Sequence, residues 1–196
     1  MAIARDAVIS AALAIVGACA VGPRAAEYAD AIKAPGEQNA SGCALISGRC
    51  IIVRAFVRVP SCLTEDYLKG HAMSDVLHAI RSADAWRRPV YPALPAPGDI
   101  VHVAEAGDES GHVFVLVRGP IDDACTYEGV DGGQRDAAGH ECVRLRRHEI
   151  AWSDGKLLER AQDAADEPWT AWRVVDGWGD ADAMGAAWQV KDRGDP

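Results

Sequence analysis

Three residues in this 196-residue chain, Cys43, His112 and Asp131, have the types and the order of a nucleophile, a base and an orienting acceptor. A thiol attacks as its thiolate, and the first turn of a helix favours that form through its free N–H groups and partial positive charge. Cys43 stands at the abrupt start of CALISGRCIIVRAFVRV, where Leu45, Ile46, Ile52, Val53 and Phe56 keep one helical face apolar. A nucleophilic thiol also needs a base, and His112 opens an apolar strand directly after Gly111, where its ring can face a cleft. The imidazole in turn needs an acceptor to fix its tautomer. Asp131 at the end of the next strand is placed for that, with Glu128 and Gln134 as alternatives. The chemistry of such a set is thiol acyl transfer. It requires an Asp131 oxygen within roughly 3.2 Å of one His112 nitrogen, with the other nitrogen facing Cys43.

The elements that would hold these residues are helices first and strands after. From Ala4 to Val21 the chain is Ala-rich and free of proline, which predicts a helix packed on most of its faces. Arg5 before the apolar run AVISAALAIVGACA also has the look of a short signal peptide. Asp6 at the edge of the run and a single basic residue favour a buried first helix instead. Ser74 is placed to cap the helix SDVLHAIRSADAW, and the proline-rich RRPVYPALPAPGD then delivers the strand IVHV. HVFVLV and CTYEGV follow as further strands, the short polar connections making neighbours antiparallel. CVRLRRHEIAW, KLLER and WTAWRVVDGWGDADAM add short strands and a short terminal helix, as an extension from about residue 142. The expected class is α+β: a single domain over 1–196 with N-terminal helices packed on an antiparallel sheet.

Composition narrows the partners. Twenty Lys+Arg against 29 Asp+Glu give a net charge of −9, which disfavours nucleic acid, because phosphate binding is driven by a basic surface. No stretch reaches the ~20 apolar residues of a membrane span, so no membrane insertion is expected. The six cysteines, at 19, 43, 50, 62, 125 and 142, form no C-x-x-C pair and read as mostly reduced, buried thiols, with disulfides left open for an exported form. Cys125, His140, Cys142 and His148 fit no closed zinc pattern, and neither metal nor cofactor is expected.

Other residues have plainer readings. Cys50, seven positions beyond Cys43, reads as core on the same helical face. His102 in IVHV is the alternative base, while His71 and His78 read as structural. Arg144, Arg146 and Arg147 alternate partly with Leu145, as in a strand with a solvated face. Trp169, Trp172 and Trp178 read as packing.

The order of Cys at a helix start, P-G-D-I-V-H-V, G-H-V-F-V-L-V and the acidic residue of V-D-G-G-Q resembles the NlpC/P60 and CHAP cysteine peptidases. The resemblance covers roughly residues 36 to 135 and implies a reduced papain-like fold, with Cys43, His112 and Asp131 as the catalytic set. It implies a backbone N–H of Cys43 as oxyanion donor, with Gln38 or Asn39 as added amide donors and Gln134 beside the site. Ser-Gly precedes the Cys here in place of the usual Asp or Asn. The resemblance further implies hydrolysis of amide bonds in bacterial peptidoglycan stem peptides or crosslinks. The protein would be made in the cytoplasm and delivered to the cell wall or periplasm, by phage lysis or a secretion apparatus, with an immunity protein as a partner in the latter case. The same fold would also serve a Cys-His deamidase or acyltransferase, or an inactive binding or structural module.

Overall fold

The computed structural model describes residues 2–32, 42–64, 72–104, 111–123, 125–164 and 167–191. Helix α1 (Ala2–Ala14) buries Ala4, Val8, Ala12 and the following Ile15 along one stripe, as the i, i+4 spacing of these small and apolar residues dictates. The helix stops short of Val21. Gly17 takes a positive φ of 83°, and the chain then runs extended beside Glu141–Val143, with Gly17 N–H donating to the Val143 carbonyl and Ala20 N–H to that of Glu141. Cys19 is bonded to Cys142 there, so these two cysteines are a disulfide rather than reduced thiols. Spacing alone does not reveal such a pairing, because the partners are 123 residues apart.

Helix α2 (Ala25–Ala31) follows, and then the segment that begins at Cys43. Its first part, Cys43–Cys50, is a π-helix, continued by α3 (Ile51–Ala55). The wider i→i+5 turn means that seven positions no longer return to the same face, so Cys50 is core without lying beneath Cys43. Gly48 supports this segment, since a Cβ there would stand 2.8 Å from the Val76 side chain of α4 (Ala72–Ser82). Ser74 lies inside α4 rather than at its cap.

Strands β1 (Trp86–Arg87), β2 (Ile100–Ala104), β3 (His112–Arg118), β4 (Thr126–Arg135), β5 (Glu141–Ser153), β6 (Lys156–Gln162) and β7 (Arg173–Gly179) form one antiparallel sheet in the order β1-β7-β2-β3-β4-β5-β6. A further pairing of β6 with β7, through Leu158–Val174 and Glu159–Arg173, closes β2 to β7 into a barrel. The fold is thus α+β, as expected, and its antiparallel sheet is closed into a barrel. The segment read as an extension supplies β5, β6, β7 and the terminal helix α5 (Ala181–Trp188).

Both faces of the central strands are covered, which is why HVFVLV reads as a continuous apolar run. Val113, Val115 and Val117 pack under the helices with Ile15, Ile46 and Ile80, while Phe114 and Leu116 fill the barrel with Val101, Val103, Ile150 and Trp178. The P-G-D turn locks helices to barrel. Asp99 accepts the N–H groups of Ala96 and Ala181 at 2.9 and 3.1 Å, and Arg5 of α1 donates to it at 2.8 Å while also pairing with Asp182 and Asp180. Burial pushes the Asp99 carboxyl up to about 6 against the pull of those donors. Among the described residues no helix is long and apolar enough to cross a membrane.

Candidate active site

The π-helix and the strand β4 are pressed together at the point where the site forms. β4 carries an irregularity between Asp131 and Gln134, and the two glycines inside it meet the helix start. A Cβ on Gly132 would stand 2.5 Å from the Gly42 carbonyl oxygen, and one on Gly133, where φ is 70°, would stand 3.0 Å from the Cys43 nitrogen. Only glycine allows this approach, which brings the start of the Cys43 helix against the strand of Asp131. Ser47, one turn along the helix, accepts the Gly132 N–H at 2.8 Å and donates to the Val130 carbonyl at 3.2 Å.

His112 is the first residue of β3, and Asp131 stands opposite Phe114, two residues along the same face. His112 Nε2 lies 2.5 Å from Asp131 Oδ1. The ring also hydrogen-bonds the Cys43 side chain, and with Nε2 engaged by Asp131 the nitrogen left for the sulfur is Nδ1. Cys43 is 5% exposed, and Asp131 is fully buried. Burial alone would lower the His112 pKa; its hydrogen bonds and charge interactions with Asp131 and Cys43 outweigh that and hold it up at about 9. Burial would likewise raise the Asp131 carboxyl, but His148 and His112 hold it far below the usual carboxylate range.

The other candidates stand elsewhere. Glu128 is 3.8 Å from Arg118, and the Gln134 amide donates to the Gly132 carbonyl at 3.4 Å, so neither takes the acceptor place beside His112. His102 is buried with Nδ1 3.4 Å from Asp176 of β7. His78 is exposed beside Ser82. Gln38, Asn39 and His71 lie outside the described residues. Of the four residues weighed for zinc, Cys142 is disulfide-bonded and His148 is enclosed between two carboxylates.

Sequence reasoning missed what lies behind Asp131. Its second oxygen, Oδ2, is 2.8 Å from His148 Nε2; His148 Nδ1 is 2.8 Å from Glu159 Oε1; and Glu159 Oε2 accepts from Arg173 Nε and Nη2 at 3.0 and 2.8 Å. His148 and Glu159 are fully buried inside the barrel. The strand CVRLRRHEIAW therefore does not turn its arginines uniformly to solvent: Arg146 is 8% exposed, paired with Asp163 and 3.6 Å from Asp131, whereas Leu145 is 40% exposed. Ile150 shares the strand face of Arg146 and His148, and that parity is the one signal of an inward direction. Trp178 is core, while the Arg160 guanidinium lies over the Trp169 and Trp172 rings at 4.9 and 4.6 Å and Trp172 stays 43% exposed.

Comparison of the chain with protein-family models, with curated proteins and with solved structures finds no match.

Proposed function

We propose that this protein is a thiol hydrolase of amide bonds that acts on bacterial peptidoglycan stem peptides or crosslinks, on a papain-like plan similar to that of the NlpC/P60 and CHAP peptidases. The observation that carries this reading is the line Cys43–His112–Asp131, with Nε2 of the histidine 2.5 Å from the carboxylate and the ring hydrogen-bonded to the thiol. In the reaction the Cys43 thiolate adds to the amide carbonyl, and the His112 imidazolium protonates the departing amine. Water, deprotonated by the now neutral His112, then cleaves the thioester to the carboxylic acid and restores the Cys43 thiolate beside the His112 imidazolium. Asp131 fixes the tautomer and stabilises the imidazolium throughout.

The substrate class rests on the resemblance of the motifs. The Cys19–Cys142 disulfide supports a place of work outside the reducing cytoplasm, where wall substrates lie. That suits a lysin or a secreted antibacterial effector, the latter with an immunity protein as partner. Purified peptidoglycan digested with the wild-type protein should release new amino groups, and Cys43→Ala should release none while keeping its fold. Equal release by the two proteins overturns the thiol mechanism. Release of ammonia without new amino termini assigns the same cysteine to deamidation.

A further inference from the structure

His148 has a carboxylate oxygen 2.8 Å from each ring nitrogen, Asp131 Oδ2 on one side and Glu159 Oε1 on the other. A neutral imidazole has one N–H and would face one of these oxygens lone pair to lone pair. Protonation of Glu159 would remove that conflict, but the Arg173 guanidinium grips its other oxygen with two hydrogen bonds and holds it ionised. Asp131 is likewise held as the anion by His112 and by Arg146 at 3.6 Å. Charge then alternates from solvent to thiol: Arg173, Glu159, His148, Asp131, His112, Cys43.

We propose, resting on the thiol-hydrolase reading, that His148 is a positioning residue: an imidazolium clamped between Asp131 and Glu159 that aims the Asp131 carboxylate at His112 and moderates its hold on the His112 proton. The barrel is built around that ring. Phe114 stacks on it with centroids 4.0 Å apart and planes 8° from parallel, and a Cβ at Gly129 would stand 2.7 Å from His148 Cδ2 and Nε2. With Asp131 shared between two imidazoles, its charge is divided. His112 is then acidic enough to surrender its proton to the leaving amine, where a carboxylate serving it alone would hold that proton more tightly.

Cys43 from the π-helix and Asp131 from β4 face His112, and burial with the nearby His112 charge holds the His102 pKa on β2 below its ordinary value. His148 and Arg146 from β5 face Asp131, and Glu159 from β6, Asp163 just beyond that strand and Arg173 from β7 stand behind them. Burial disfavours the charged His148 ring, and its two carboxylates outweigh this and raise its pKa.

The test is the rate of Cys43 alkylation by iodoacetamide against pH, read by mass spectrometry on the Cys43 peptide, so that no substrate need be known. In the wild type the rate should rise once at low pH as the ion pair forms and again near the His112 value of about 9. His148→Gln keeps an amide donor toward Asp131 and removes the charge, and should move the upper inflection to higher pH by about half a unit to one unit. Glu159→Gln, which leaves His148 without its second carboxylate, should move it in the same direction and serves if His148→Gln fails to fold. An unmoved inflection in a folded variant overturns the proposal, and so does a fall toward about 6.5, which would mean that the His148 charge supports rather than moderates the hold of Asp131 on the His112 proton. A wild-type Cys43 that alkylates no faster below pH 8 than Cys62 removes the thiol-hydrolase reading itself, and this inference with it.

Discussion

The Ser47 hydroxyl accepts the Gly132 N–H at 2.8 Å, and through this bond the Cys43 helix is registered on the strand of Asp131. Both residues are buried, so no water stands ready to replace a lost partner. The bond, with the one from Ser47 to the Val130 carbonyl, sets how far the helix start can slide along β4. Placement of the thiol relative to His112 is therefore partly set by Ser47.

Ser47→Ala should leave the Gly132 N–H unsatisfied and lower stability by about 1–3 kcal/mol, read by chemical denaturation. Turnover of peptidoglycan should fall about tenfold or more in protein that is still folded, because misplacement by a fraction of an ångström is costly to an oriented pair. Unchanged activity would show that the glycine approach alone sets the register.

His112→Ala should be as damaging as Cys43→Ala, because residues that act as a unit are not additive. His102→Ala should keep most of its activity, since its Nδ1 faces Asp176 rather than the thiol. The comparison is made on turnover at equal folded concentration, and an inactive His102→Ala with an active His112→Ala reverses the assignment of the base.

The pH dependence follows from the raised His112 pKa. The leaving amine needs the imidazolium, so kcat/KM should fall as pH rises through about 9. Asp131→Asn removes the charge that supports the imidazolium. Its alkaline limb should move down toward about 6.5, and its maximal activity should fall by about one to three orders of magnitude. A limb that stays in place would mean that Cys43 alone sustains the raised value.

Reduction of the Cys19–Cys142 bond frees a loop of 123 residues, a constraint worth roughly 3–5 kcal/mol through the unfolded chain. The Tm in dithiothreitol, or of Cys19→Ser, should drop on the order of 10 °C. The alkylation rate of Cys43 below the transition should be little changed, because neither half-cystine is among the groups around His112.

What could be seen in the sequence was what local chemistry forces. The helix beginning at Cys43, the antiparallel pair of β2 and β3, and the nearness of Asp131 to His112 all follow from apolar periodicity, short polar connections and strand order. The glycines after Asp131 were visible as residues but not as the contact that brings helix and strand together. His148 and Glu159 were hidden for a different reason. A buried charge that is fully paired has the same residue type as a solvated one, and the parity of Arg146 and His148 with Ile150 is the one cue to which charges turn inward. The π-helix, the disulfide and the closure of the barrel depend on contacts between distant segments, which spacing along the chain does not encode.

The pairing of β6 with β7 has a consequence for what can dock on this protein. β7 is bordered by β2 along one side, and on the other by β1 at one end and β6 at the other; between those two, Gly177 lies under the Trp86 ring. Among the described strands of the barrel none offers a long open row of N–H and C=O groups. HVFVLV is held between β2 and β4, so neither a peptide nor a second copy of the barrel can pair with it as an extra strand. On the proposed function, selectivity for a peptide is then a matter of what surrounds Cys43 and His112 rather than of backbone pairing with HVFVLV.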